Sequence, residues 1–546
     1  MLGTLTDRRW FIVAGATALL IAVMLQVPQL LHSLDARSRG VLVQLNSDED
    51  VYLARVQEVL SGRPDQAAEA IVGEPGLMGS QFALLETAYG TVFRPTGWRA
   101  ATVLQVMDSV AGFCLFLLLI LFLRGCGFSR WQAYAGALLF ILVHFAGMSR
   151  PVHQSGSFSV VLATLCCLQR GVRGRTVLLA LGGALLGILV GVYVWAWTAA
   201  WLWWGLWTAW ACVDWIRQRD TQSKKTFVRL LAVGAVGVAF ALPFLWQLHL
   251  LSQHPLYPLA VYRSGMFPSR LPESWAYSIL FAAMAGGALA SIPRHGRAMR
   301  PYGLAVLTVV GGFILINQQA VHGTTFNFVS HYLYSLITAA LCSLLLGWSL
   351  RRPLLIAGAM AACVYVAAIA YDGKWVTSQF TPDESRFVEQ HFSTLLPVLD
   401  ALPRTRVLSD PASSAFVAGS THHDVVYSIY LKNVLMTHEE IAERYCLTVA
   451  ALPAAERNIA GQEHLVYPDS VSAFHNDPSV RDREVTMVED ACAHVDADPA
   501  DALKRYGIDY VLWDEKRRPT WDLNALKVPL TETARGEGWS LWKIGS

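Results

Sequence analysis

Three adjacent carboxylates, Asp48, Glu49 and Asp50, open the charged part of the stretch LNSDEDVYLARVQEVLSG, residues 45 to 62. Carboxylates grouped in this way can take a proton from a hydroxyl or amine, orient an acceptor, or share a divalent cation. Asp48, Glu49 and Asp50 are each candidates for such a catalytic role. Asp48 and Asp50 are also the candidate ligands of a divalent cation, Mg or Mn. The same residues suit the start of a helix, with Asn46 or Ser47 as cap, acids in the first turn against the helix dipole, and an amphipathic helix ending at Gly62. The two readings are compatible, because a capped helix holds its carboxylates rigidly.

Residues that could complete such a site follow from charge and position. Tyr52 and Arg55 share the helix with the acids, and Glu74 beside Pro75 is a loop carboxylate. A phosphate-bearing substrate needs cations, and Arg offers a planar fork for it. Arg263 and Arg270 are the leading phosphate ligands, with headgroup snorkelling as their alternative. Arg150 and His153 in MSRPVHQSG, and His322 and His331 around VHGTTFNFVSH, are further substrate contacts. Asn317, Gln318 and Gln319 would be costly against lipid and are expected to line a cavity. Glu86 is expected on the surface of an interfacial helix, and His422, His423 and Asp424 on the surface of a strand.

The elements that must position these residues are mostly apolar. Of 546 residues, 54% are hydrophobic and 15% charged, which excludes an ordinary soluble chain. The net charge of +2 gives no argument for nucleic acid. Apolar runs near 10–31, 100–123, 131–148, 155–169, 176–194, 196–215, 227–248, 274–292, 302–317, 328–349 and 354–371 predict about eleven membrane helices. The Trp-rich run 176–216 lacks a polar break, and its length predicts two helices with a tight turn, its tryptophans packing and anchoring. The connections 124–130, 169–176, 217–229, 293–301 and 351–353 are basic and fall on the side of Arg8 and Arg9, which places the N-terminus in the cytoplasm.

The first loop, 32–99, and everything beyond about 372 then lie outside the cytoplasm. The fold class is a polytopic α-helical membrane protein with a C-terminal extracytoplasmic α/β domain: residues 1–372 form the transmembrane part and 373–546 the soluble part, where strand-like runs alternate with helix-like ones. Cys446 and Cys492 are the only cysteines of that part, and both a disulfide and free thiols stay open. The absence of an Asn-x-Ser/Thr sequon favours a bacterial inner membrane.

The first-loop stretch, with Asp48-Glu49-x-x-Tyr52 and Arg55, Glu58 and Gly62 beyond, resembles the opening of the GT-C superfamily of integral-membrane glycosyltransferases, in particular aminoarabinose and protein mannosyl transferases. The resemblance implies inverting transfer of a sugar from a polyprenyl-phosphate lipid donor to an extracytoplasmic acceptor, whether lipid-linked glycan, envelope polysaccharide or protein, with Asp48 as the first-choice catalytic carboxylate and Glu49 or Asp50 assisting or contributing to a cation site. Its departures are the lack of a Trp-Trp-Asp signature in the C-terminal part and of a second-loop Asp-x-Asp, which bear on an asparagine acceptor and on metal dependence. Membrane lipids and envelope-assembly proteins are the other expected partners. The alternatives are a transporter or flippase for a lipid-linked sugar, and a non-catalytic scaffold of an envelope-assembly complex.

Overall fold

The computed structural model describes residues 2–45, 49–64, 72–74, 77–145, 151–295, 301–326, 329–370, 380–457, 459–461, 466 and 477–545. Two compact units divide the chain, and neither is continuous in sequence. The first comprises Met1–Pro28, Gln105–Leu248 and Pro268–Thr381; the second comprises Gln29–Leu104, His249–Phe267 and Pro382–Ser546.

The second unit holds a five-stranded sheet of β1 (Arg406–Leu408), β2 (Asp424–Val425), β3 (Tyr510–Asp514), β4 (Leu530–Gly536) and β5 (Trp539–Ile544), in the order β2-β1-β3-β5-β4. The first three are parallel, and β5 and β4 continue antiparallel as a hairpin. The hairpin closes tightly because Gly538 takes φ +83. Four of the strands lie in runs with the apolar, β-branched composition of a strand. β4 is different: LTETARG is polar, and it sits at the sheet edge, where charged side chains can face water. Cys446 and Cys492 form a disulfide between the helices His438–Val449 and Pro478–Ala497, their Cα atoms 4.9 Å apart.

In the first unit a helix falls on each of the eleven apolar runs. The unbroken Trp-rich run is divided, as expected, into helices Thr176–Ile188 and Val194–Gln218 by a turn at 189–193 where Tyr193 is extended. Among the described residues, five stretches are long and apolar enough to cross a membrane: Arg9–Ser33, Ala100–Gly125, Thr221–Ser252, Trp275–Ile292 and Leu333–Leu350. Thr176–Gly191, Gly303–Leu315 and Pro353–Ala368 are apolar but shorter.

Glycines set how closely some of these helices approach. Gly183, Gly187 and Gly191 recur every fourth residue and form a row against the helix Thr221–Ser252. A Cβ at Gly187 would stand 2.2 Å from the Gly237 carbonyl oxygen, at Gly183 2.8 Å from Val236, and at Gly191 2.2 Å from the Phe244 ring. Such rows of small residues let backbones meet where lipid offers no hydrophobic drive between helices. The neighbouring tryptophans complete the contact: Trp201 donates to the Leu186 carbonyl and Trp204 to the Leu230 carbonyl, each at 3.0 Å. Because the obstacle at Gly187 is backbone, which cannot swing away, Gly187→Ala should destabilise the first unit by about 1–3 kcal/mol. Gly205→Ala, whose added Cβ would meet open space, should be close to neutral; the thermal midpoints of the two purified variants make the comparison.

Candidate active site

The helix Glu49–Leu60 carries the acidic head of the first loop. Asp48 lies outside the described residues, and Glu49 is described by its main chain alone. Asp50 is half-buried and accepts a hydrogen bond from the Gln44 amide. The carbonyl of Gln44 accepts from Arg386 Nη1 at 2.7 Å. Gln390 ties the same two segments, donating to the Val41 carbonyl at 2.7 Å and accepting from the Arg39 N–H at 2.7 Å. These bonds hold residues 386–390 beside the start of the first loop, and Glu389 belongs to that segment. Burial, and then the charge of Asp50, push the Glu389 carboxyl up to about 7, although Arg517 opposes the shift.

Arg517 is the centre of a cluster around Glu389. Its guanidinium lies 3.9 Å from Glu389, 3.9 Å from Asp410 and 3.8 Å from Asp514. Asp514 is also 3.1 Å from His391 Nε2. Burial would raise the Asp514 carboxyl, but His391 and Arg517 hold it below the usual carboxylate value. Asp410 follows β1 and caps the helix Pro411–Ser420, while Asp514 ends β3, so both emerge at the carboxyl edge of neighbouring parallel strands. That edge is where open α/β sheets place their ligands, and it is the signal in the sequence that could have pointed to this cluster. A cavity of about 490 Å³ opens beside it, lined by Arg37, Arg39, Gln390, His391, Asp514 and Arg517 among others.

Other expected site residues of the second unit are built into its packing. Tyr52 is buried, and Arg55 is buried with its Nη1 3.1 Å from Glu86 Oε1. Arg55 is therefore turned toward the helix Leu84–Phe93 rather than toward a ligand. Glu86, expected on a surface, is fully buried; burial raises its carboxyl against the pull of Arg55. Glu74 bonds to Arg444, and Arg406 stands 3.9 Å away. Arg263 is fully buried, and it donates to the carbonyls of Lys432 at 3.2 Å and Val434 at 2.8 Å. It is a tie inside the fold and not an exposed phosphate ligand. His422 and His423 are not surface residues on opposite faces: their rings lie 4.3 Å apart and bond to the Leu402 and Leu399 carbonyls near the end of one short helix.

In the first unit, His153 and His331 come together on Tyr193. His153 stacks on the Tyr193 ring at 4.3 Å, and His331 Nδ1 bonds to the Tyr193 hydroxyl and packs on Trp195. Gln318 and Thr198 both bond to the Tyr332 hydroxyl, and Asn317 accepts from Ser278, so these polar groups satisfy one another internally. Arg270 and His322 are exposed at the turn around Gly323, where Arg270 donates to the Ala320 carbonyl at 2.8 Å. Arg150 lies outside the described residues. Among the described residues no group of three or more His, Cys, Asp or Glu converges as a metal site. Asp48, the expected co-ligand of Asp50, lies outside the described residues.

No protein-family model matches the chain, and no curated protein matches it. Among solved structures it is similar to the Archaeoglobus fulgidus oligosaccharyltransferase tethered to an acceptor peptide, at 12% identity and TM-score 0.49 over 97% of this chain and 74% of that one. It is also similar to ArnT from Cupriavidus metallidurans bound to undecaprenyl phosphate, at 12% identity and TM-score 0.47 over 98% of each chain. A third is the arabinofuranosyltransferase AftD from Mycobacteria, at 13% identity and TM-score 0.44 over 99% of this chain and 40% of that one. At these identities and scores the likeness assigns no residue its role.

Two outcomes follow from the buried charges. Arg55→Ala strands Glu86 in the interior and should cost about 3–5 kcal/mol, whereas Arg55→Met combined with Glu86→Leu should recover most of it; denaturant midpoints of the three proteins decide. Between about 4.5 and about 7 the folded chain keeps a proton on Glu389 that the unfolded chain releases, so this group's contribution to stability falls as pH rises through that window. Glu389→Gln should flatten the fall in thermal midpoint across it, leaving the share of Glu484, whose carboxyl burial also raises to about 7.

Proposed function

We propose that the chain is an inner-membrane glycosyltransferase of the GT-C kind, moving a sugar with inversion from a polyprenyl-phosphate donor to an extracytoplasmic acceptor. The observation that carries this reading is Asp50 at the head of the first-loop helix beside Glu389, whose carboxyl titrates near 7. A carboxylate next to a carboxyl that keeps its proton near neutrality supplies base and acid in one cluster.

In this reading the carboxylate of Asp48, assisted by Glu49 or Asp50, takes the proton of an acceptor hydroxyl or amine. The acceptor atom bonds to the anomeric carbon as its bond to the phosphate oxygen breaks, and the phosphate leaves with that electron pair. Arg270, His322 and Arg150 are the phosphate-side candidates. His153 and His331, packed around Tyr193, would give polar contacts to the substrate. The acceptor is a lipid-linked glycan, an envelope polysaccharide or a protein, with envelope-assembly proteins as partners. Asp48 and Asp50 would hold a divalent cation, Mg or Mn, which would help to offset the charge of the leaving phosphate.

The test is transfer from radiolabelled polyprenyl-phosphate sugars into membrane acceptors at matched expression. Asp48→Asn should lower the rate by about 10²–10⁴-fold, the usual range for a lost acid or base, and Asp50→Asn by less. A loss on adding chelator, restored by Mg or Mn, would support a cation at Asp48 and Asp50, and an unchanged rate would leave the phosphate charge to the cationic side chains. Variants as active as wild type would return the acidic cluster to a helix cap. A silent wild type that still carries the lipid-linked sugar across the membrane would make the protein a transporter.

A further inference from the structure

We infer that the first unit holds one anionic phospholipid in a built pocket at its basic end, with a singly charged phosphodiester headgroup that bears hydroxyls. The pocket is a cavity of about 260 Å³ lined by Arg173, Trp207, Trp210, Asp214, Gln222 and Thr226 among others. It lies among the end of the helix Val194–Gln218, the start of Thr221–Ser252, and the residues around Gly303. The segments 170–175 and 214–229 carry eight Arg and Lys against Asp214 and Asp220. Most of these cations are exposed, so an anion arriving here meets a field of one sign.

Charge alone would describe any basic membrane connection; the cavity walls say more. Arg173 is exposed, and among the described residues no hydrogen bond or ion pair engages its guanidinium. Gln222 and Thr226 add neutral donors. Asp214 disfavours a second negative charge and can accept from a headgroup hydroxyl, which is why the ligand is a singly charged, hydroxylated phosphodiester. Trp207, Leu304 and Leu307 give the same cavity one apolar wall. This wall is apolar and suits the first carbons of an acyl chain, which a soluble phosphate lacks.

Native mass spectrometry of the full chain in detergent, titrated with phosphatidylglycerol or phosphatidylcholine, tests the inference. Wild type should retain one phosphatidylglycerol in preference to phosphatidylcholine, and millimolar inorganic phosphate should not displace it. Arg173→Gln should raise the lipid concentration for half occupancy about fivefold, roughly what one basic side chain contributes at an anionic lipid. Trp210→Ala should weaken retention as well, while Arg351→Gln, on another basic connection outside the cavity, should leave it unchanged. Equal retention of the two lipids would overturn the inference, as would displacement by phosphate. So would an Arg351→Gln loss as large as that of Arg173→Gln, since that pattern belongs to basic surface in general.

Discussion

A guanidinium cannot shed its charge inside a protein, so each buried arginine dictates the acceptors that must surround it. Arg55, Arg263 and Arg444 are among the largest fully buried side chains of the second unit, and each comes from a different stretch of it. Arg55 takes Glu86, Arg444 takes Glu74 and Glu440, and Arg263 takes the main-chain carbonyls of Lys432 and Val434. The same strip of main chain also receives the first loop: Ser80 donates to the Asn433 carbonyl at 2.7 Å, and Leu435 donates to that of Met78 at 2.9 Å. Residues 432–435 are thus a seam joining three pieces of chain far apart in sequence.

With the loop fixed in this way, the helix Glu49–Leu60 has little freedom. Gly90, on Leu84–Phe93, comes so near that a Cβ there would lie 2.5 Å from Val59, and a Cβ on Gly419 would lie 2.9 Å from Leu53. The helix is clasped by two others at nearly backbone distance. Rigid clasping matters for the acidic head, because a carboxylate acts well as a base only when it is held in place while charge develops. The packing of Val59, Leu53 and the Arg55–Glu86 pair is therefore what keeps Asp50 against Gln44.

Hydropathy made the first unit legible. Each apolar run of the sequence is a helix, since a segment with no polar face has few other ways to satisfy its backbone. Strand-like runs were legible where both faces are buried, as in β3, and illegible in β4, whose polar sequence fits an edge. The helix behind the first-loop acids could be read because its signal is local, while the expected cap at Asn46 or Ser47 lies outside the described residues. Glu86, Arg263, His422 and His423 were misplaced because their partners lie outside their own segments, at positions 55, 432–434, 402 and 399. Local pattern cannot tell a charge that faces water from one that finds a partner elsewhere in the chain. The Gly183, Gly187 and Gly191 row was present in the sequence, but only the facing helix gives it meaning.

The cluster around Arg517 has a charge imbalance that decides its protonation. One guanidinium faces Glu389, Asp410 and Asp514, and the charge of Asp50 bears on Glu389 as well. Four ionised carboxylates would repel one another more than one Arg can offset in a partly buried site. Asp514 has His391 and the N–H groups of Lys516 and Arg517 to stabilise its charge, and Asp410 has the N–H groups of Ala412 and Ser413 at a helix start. Asp50 has the Gln44 amide. Glu389 has the 3.9 Å approach of Arg517 and is pressed by all three other acids. The proton accordingly settles on Glu389. Its position follows from hydrogen-bond supply around the cluster, and the residue that keeps it borders Asp50, an assisting acid of the proposed chemistry.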